Sequence, residues 1–161
     1  MIDTPLFHGQ LVKLVAPDPE RDARFLARWS HDSEYMRLFD AAPARPRPVK
    51  EYQEKLERQA GKTDEISFMI TPLSPARDEP IGVVELDGIE WTHGSAWVGI
   101  GLGEKEFWGK GYGTDAIRMI LRYGFTELDL HRISLTAYEY KRRAVRTYEK
   151  LNFVTEGRAR G

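Results

Sequence analysis

The chain has 161 residues, 41% of them apolar and 30% charged, a length and balance that fit a folded domain and oppose disorder. Lys plus Arg (24) nearly equal Asp plus Glu (25), which removes the basic footprint of a dedicated nucleic-acid binder. Cys is absent and the four His are scattered, which excludes disulfides, thiolate metal sites and a Cys nucleophile and leaves no metal site to expect.

Residues 1–10 lack a basic leader followed by an apolar run, and no stretch of about 18 apolar residues occurs anywhere. No membrane span is expected, and the expected compartment is the cytoplasm. Residues 10–15 alternate apolar and polar and read as a first strand. Pro17-Asp18-Pro19-Glu20 reads as a turn and helix start, and Phe25, Leu26 and Trp29 continue it as an apolar stripe. Residues 41–48 are a proline-rich connector, after which residues 49–59 resume a helical pattern ended by Gly61. Residues 66–71 form a short strand, then a loop rich in proline and charge. Residues 80–91 and 95–102 are strand-like runs joined by a Thr92-His93-Gly94 turn. Ile117, Ile120, Leu121, Gly124, Phe125 and Leu128 share one helical face. Residues 131–138 read as a strand, Ala144, Val145, Tyr148 and Leu151 mark an amphipathic helix, and Phe153-Val154 starts a last short strand. The order is β-α-α-α-β-β-β-α-β-α-β, a mixed α/β fold expected as one domain over residues 1–161.

Between the strand ending at Leu102 and the Ile117 helix lies Trp108-Gly109-Lys110-Gly111-Tyr112-Gly113. The first N–H groups of a helix have no intrahelical partner, and the macrodipole adds about half a positive charge there. Glycines let such N–H groups converge and keep side chains out of a phosphate's way. The competing reading is a turn that serves chain geometry alone. A Walker A loop is excluded, because Glu104 stands where its first glycine is required. Gly111-Tyr112-Gly113-Thr114-Asp115-Ala116 does satisfy the dinucleotide pattern G-x-G-x-x-A, but the strand end at Leu102 is too distant and repeated βα units are lacking.

With these segments in hand, the chain resembles the GNAT superfamily of acyl-CoA N-acyltransferases, in particular its ribosomal-protein N-terminal and polyamine acetyltransferase branch. The residues that carry the resemblance are the Trp108–Gly113 turn, matching [QR]-x-x-G-x-[GA] except at Trp108, then Tyr123-Gly124-Phe125, and the run from Arg143 to Leu151. It implies a central mixed sheet with flanking helices, in which two parallel strands, here 96–102 and 132–138, splay apart at a bulge. Pantetheine would fill the gap, and Gly99, Gly101 and Gly103 sit where the bulge is expected. The resemblance implies acetyl-CoA as cosubstrate, with Leu102 and Gly103 backbone on pantetheine. Trp108, Gly109, Lys110, Gly111, Tyr112, Gly113 and Thr114 would hold the pyrophosphate.

The implied reaction is direct attack by a primary amine: a protein N-terminus, a polyamine or another small amine. Tyr148 holds the position of the tyrosine that protonates the departing sulfur, although it also continues the apolar stripe of its helix. Glu85, in a strand of otherwise apolar residues, is a candidate base, with a solvated strand face as the competing reading; Asp87, Glu90 and Glu104 are further candidates. Lys141, Arg142, Arg143, Arg146 and Lys150 make the last helix basic, and some of them are candidates for the coenzyme's 3′-phosphate. Lys141 stands where relatives place an asparagine that bonds pantetheine. Glu104-Lys105-Glu106 reads as surface charge. Relatives carry a further C-terminal strand, so the sheet is expected to lack one here, and a homodimer would cover such an edge. Two other readings stay open: a non-catalytic acyl-CoA-binding or sensing domain, and a dinucleotide-binding protein.

Overall fold

The computed structural model describes residues 5–39, 42–74 and 77–160. The leader reading of residues 1–4, the start of the proline-rich connector at Ala41 and residues 75–76 of the following loop lie outside them. Strand β1 (Val12–Val15) leads into helix α1 (Pro19–Trp29), which begins within the turn read at residues 17–20. Asp18 accepts hydrogen bonds from the N–H groups of Glu20 and Arg21, and Pro19 occupies a first-turn position that has no bond to lose. Helices α2 (Ser33–Phe39) and α3 (Val49–Ala60) follow, the latter ending at Gly61.

Strands β2 (Ile66–Pro72), β3 (Gly82–Glu90) and β4 (Ser95–Leu102) form an antiparallel meander with β1 at its edge. After helix α4 (Tyr112–Thr126), strand β5 (Arg132–Ser134) adds on parallel to β4, giving the order β1-β2-β3-β4-β5. Helix α5 (Arg142–Lys150) closes the regular structure.

Alternation along the strands divides the interior into two layers. On one face Phe25, Leu26 and Trp29 of α1, Tyr35 and Met36 of α2, and Tyr52 and Leu56 of α3 pack on Met69 and Val83. On the other, Ala116, Met119 and Ile120 of α4 pack on Ile70, Val84, Leu86, Ala96 and Val98.

Three sequence expectations need correction. The strand expected over residues 131–138 pairs only through Ser95–Arg132, Ala96–Ile133 and Trp97–Ser134, so residues 135–138 run on without a partner. Phe153-Val154 is not a strand: among the described residues no strand follows α5, and Phe153 packs into the α4 layer as part of an irregular tail. The glycines of β4 do not make a bulge. Pairing of β4 with β3 is regular from Gly82–Leu102 to Asp87–Trp97, and the register shift lies between Asp87 and Glu90, near the hairpin.

The glycines answer a steric demand instead. Gly99, Gly101 and Gly103 face the helices, and a Cβ on Gly101 would stand 2.7 Å from Tyr35 and 3.0 Å from Phe39. A Cβ on Gly103 would overlap the Trp29 ring. The glycine row therefore lets α1 and α2 lie directly on β4. Ion pairs fasten the same junction: Arg28 with Glu104, and Lys105 with Asp32 at 3.2 Å. Glu104 and Lys105 are thus ties between β4 and the helices rather than plain surface charge.

Replacing Gly101 by Val forces side-chain volume into this contact. Overpacking of this kind costs about 1–3 kcal/mol, so urea unfolding should show the midpoint falling with an unchanged slope. An unchanged midpoint would contradict the close approach of α2 to β4.

Candidate active site

The site grows from the early end of β5. Gly103 N–H donates to the Ile81 carbonyl at 2.8 Å, and a Cβ on Gly82 would overlap the Gly101 carbonyl, so residues 99, 101 and 103 bond toward β3. By the alternation of an antiparallel pair, the N–H and C=O groups of Val98, Ile100 and Leu102 point the other way. That is the side on which β5 has stopped at Ser134. Val98 N–H meets the Ser134 carbonyl in the last bridge of the pair, so the edge that faces the gap runs from the Val98 carbonyl through Ile100 to Leu102. Of the two residues whose backbone the sequence assigns to pantetheine, Leu102 lies on this edge, and the N–H of Gly103 is committed to Ile81. At the end of the gap the Trp108 indole donates to the Leu102 carbonyl at 2.8 Å, with Lys105 over its ring. Trp108 thereby links the strand edge to the glycine turn.

In that turn Gly109 and Gly111 have φ of 71° and 92°, left-handed values that strain any residue with a Cβ. Gly111 caps α4 without a side-chain bond, and the first bond back to it comes from Asp115 N–H at 3.0 Å. The N–H groups of Tyr112, Gly113 and Thr114 precede that bond and are open to an anion. Gly113 packs over Ile100 and Leu102, with room for a Cβ in ordinary contact at 3.7 Å. Arg143 reaches over from α5, its guanidinium 2.8 Å from where a Cβ on Gly109 would stand. Open N–H groups, a helix dipole and a guanidinium thus converge on the exposed Gly109–Lys110 backbone, a donor set suited to a pyrophosphate.

Two other candidates lie on α5 and its start. Tyr148 is half-buried, its ring edge-on to Phe153 at 6.0 Å, and burial raises its phenol above the ordinary value. It therefore keeps its proton at neutral pH. Lys141 lies over the Tyr140 ring at 5.5 Å.

Glu85 points to the helical face of β3. Its carboxylate accepts from the Ser67 hydroxyl at 3.3 Å and stands 3.8 Å from where a Cβ on Gly99 would be. The carbonyl of Phe39, at the end of α2, lies equally close to that point. Burial pushes the Glu85 carboxyl up to about 7; Asp87 and Glu65 add to the shift, while Lys55 and the Ser67 bond oppose it. Beside it lies a cavity of about 30 Å³ bordered by Tyr35, Tyr52, Lys55 and Ser67, enough for one water. Such a carboxyl exchanges a proton readily at neutral pH. Asp87 and Glu90 are exposed, and Glu104 is engaged with Arg28 and Trp29, so Glu85 is the base candidate with the most distinctive surroundings. Sequence reasoning missed the Phe39 carbonyl and the Ser67 hydroxyl, because both arrive from distant segments.

The family description that matches the sequence is "Acetyltransferase (GNAT) domain", over residues 12–154. The chain belongs to the GNAT acetyltransferase family. It is 31% identical over 136 residues to the spermidine N(1)-acetyltransferase of Vibrio cholerae serotype O1, covering 84% of this chain and 75% of that protein. It is 38% identical over 113 residues to the probable N-acetyltransferase YjcK of Bacillus subtilis, covering 70% and 59%. The crystal structure of the Vibrio cholerae spermidine N-acetyltransferase with CoA and spermine superposes at a TM-score of 0.80 with 29% identity, over 91% of this chain and 82% of that one. The matched stretches span from 42% to 75% of the curated relatives' lengths. The GNAT chain is thus an acetyltransferase that transfers an acetyl group to an amine, and its mixed α/β fold matches that of its structural neighbours. Nothing in these likenesses favours a dinucleotide binder or a non-catalytic sensor. Among the described residues no helix is long and apolar enough to cross a membrane.

The raised carboxyl of Glu85 makes a prediction for stability. Its folded value, about 7, lies above the ordinary 4.5, so the folded state binds the proton more tightly than the unfolded state. Stability must then fall as pH rises from about 4.5 to about 7. Glu85→Gln, which does not titrate, should gain stability relative to wild type across that window, read from urea midpoints at a series of pH values. A constant difference between the two proteins would contradict the shift.

Proposed function

We propose that this protein acetylates a primary amine of a polyamine-type acceptor, using acetyl-CoA as donor. The observation that carries the reading is Glu85, set over the glycine floor of β4 with Glu65 and Asp87 close enough to raise its carboxyl. An acidic neighbourhood beside an unpaired strand edge suits a substrate with several ammonium groups, and spermidine acetyltransferases stand among the relatives. The Phe39 carbonyl adds a further acceptor for an ammonium N–H at the same point.

Acetyl-CoA, when bound, supplies an activated acetyl thioester. The unpaired edge from the Val98 carbonyl through Ile100 to Leu102 bonds the pantetheine arm as a strand would. Trp108, Gly109, Lys110, Gly111, Tyr112, Gly113 and Thr114 form the pyrophosphate cradle, with Arg143 supplying a countercharge. Glu85 takes a proton from the attacking ammonium through the water its cavity can hold. A carbon–nitrogen bond then forms as the carbon–sulfur bond breaks, Tyr148 donates its proton to the departing sulfur, and the second proton that leaves the nitrogen restores the phenol. Lys141 supplies no amide to the pantetheine, so that contact rests on the strand edge.

Tyr148→Phe should lower kcat about 10²–10⁴-fold, the usual worth of a positioned acid, with the KM for acetyl-CoA little changed. With spermidine as acceptor, log kcat/KM should rise with pH through a step near 7 that is lost in Glu85→Gln. A wild-type kcat in Tyr148→Phe would remove its role as acid. Retention of the step in Glu85→Gln would remove the base.

A further inference from the structure

The glycine turn is fixed from behind by a carboxylate that the acetyl transfer does not use. Asp115, in the first turn of α4, is only 5% exposed. Its Oδ2 accepts from the N–H groups of Leu11 at 2.9 Å and Val12 at 3.0 Å, and its Oδ1 accepts from Gln10 N–H at 3.3 Å. Gly9 closes on it so tightly that a Cβ there would overlap the carboxylate. The three donors satisfy a buried acid without a cation.

The direction of these bonds matters. A side-chain acceptor at the cap of a helix can take up the helix's own free N–H groups. Asp115 is turned to the opposite side, so the N–H groups of Tyr112, Gly113 and Thr114 stay open for a phosphate. The same bonds hold residues 9–12 behind the turn, where Leu11 Cδ1 stands 3.3 Å from the place of a Cβ on Gly111. That segment is itself fixed: Gly9 N–H donates to the Val12 carbonyl at 2.8 Å, and Leu73 N–H to the Leu11 carbonyl at 2.9 Å. The start of α4 is therefore tied to residues 10–12 by hydrogen bonds to one side chain, beside its apolar packing on the sheet.

We propose that Asp115 is a positioning residue for the coenzyme, docking the start of α4 on residues 10–12 so that its open N–H groups converge on the pyrophosphate. This rests on the coenzyme reading of the turn given above. Because Asp115 acts behind the turn, its loss registers in acetyl-CoA binding rather than in the chemical step or in amine recognition.

The test is isothermal titration of acetyl-CoA into wild type, Asp115→Asn, Gly9→Ala and Gly111→Glu. Asp115→Asn turns an amide N–H₂ toward N–H donors, whereas Gly9→Ala keeps the carboxylate but displaces it, and so decides the matter if the first variant does not fold. Both should weaken binding about tenfold, equivalent to about 1.4 kcal/mol. Both should speed hydrogen exchange at the amides of Tyr112, Gly113 and Thr114 and raise the acetyl-CoA KM, with kcat and the spermidine KM within about twofold of wild type. Gly111→Glu should abolish binding. Wild-type affinity in Asp115→Asn and Gly9→Ala, with loss in Gly111→Glu, overturns the positioning role and leaves the turn as the coenzyme site. Wild-type affinity in Gly111→Glu overturns both. A fall in kcat as large as the loss of binding also overturns it, because the residue then supports the whole fold.

Discussion

A parallel strand pair that stops after three residues is the constraint on which the rest of this structure depends. Past Trp97 and Ser134, β4 continues to Leu102 while its neighbour leaves the sheet. Backbone N–H and C=O groups in such a position must find partners, because leaving them buried and unmet costs as much as a lost hydrogen bond or more. The protein satisfies one of them internally, with the Trp108 indole on Leu102. The rest form a row that an extended, amide-bearing chain is built to meet. On the family reading, the pantetheine arm completes the sheet where the protein chain does not.

The two faces of β4 then divide the work. Its even-numbered side chains, Ile100 and Leu102, support the first turn of α4, where Gly113 packs over them and the open N–H groups emerge. Its glycines face the other way and bring α1 and α2 down onto the strand, with Trp29, Tyr35 and Phe39 in contact. That approach sets the end of α2 beside Glu85 and closes the carboxyl off from water, which is what raises it. The anion site and the base candidate thus lie on opposite sides of one strand, joined by the backbone edge between them.

How much of this could be read in the sequence follows from how local each cause is. The helix start at residues 17–20, the stop at Gly61, the hairpin at 92–94 and the Ile117, Ile120 and Gly124 face of α4 are set by neighbours within a few residues and are where the pattern implies, whereas Phe125, read onto that face, is exposed. The glycine turn was legible for the same reason, since φ of 71° and 92° at Gly109 and Gly111 is a demand of the turn itself. The length of β5 was not, because nothing within residues 135–138 says that their partner strand has diverged. Gly99, Gly101 and Gly103 suggested a bulge, yet their cause is a helix packed above them from far earlier in the chain. Asp115 was passed over because its partners lie 103 to 105 residues away. Glu85 was found by its type in an apolar strand, but its raised carboxyl depends on burial that only the packed helices provide.

The most direct test of the central claim is amide chemical-shift mapping by NMR as CoA is added. The largest shifts should fall on Ile100 and Leu102 along the unpaired edge and on Tyr112, Gly113 and Thr114 at the turn, with Val98, bonded to β5, and Gly99 and Gly101, bonded toward β3, moving less. Shifts confined to other surfaces, or spread equally over both sides of β4, would contradict the assignment of the gap between β4 and β5 as the coenzyme's place.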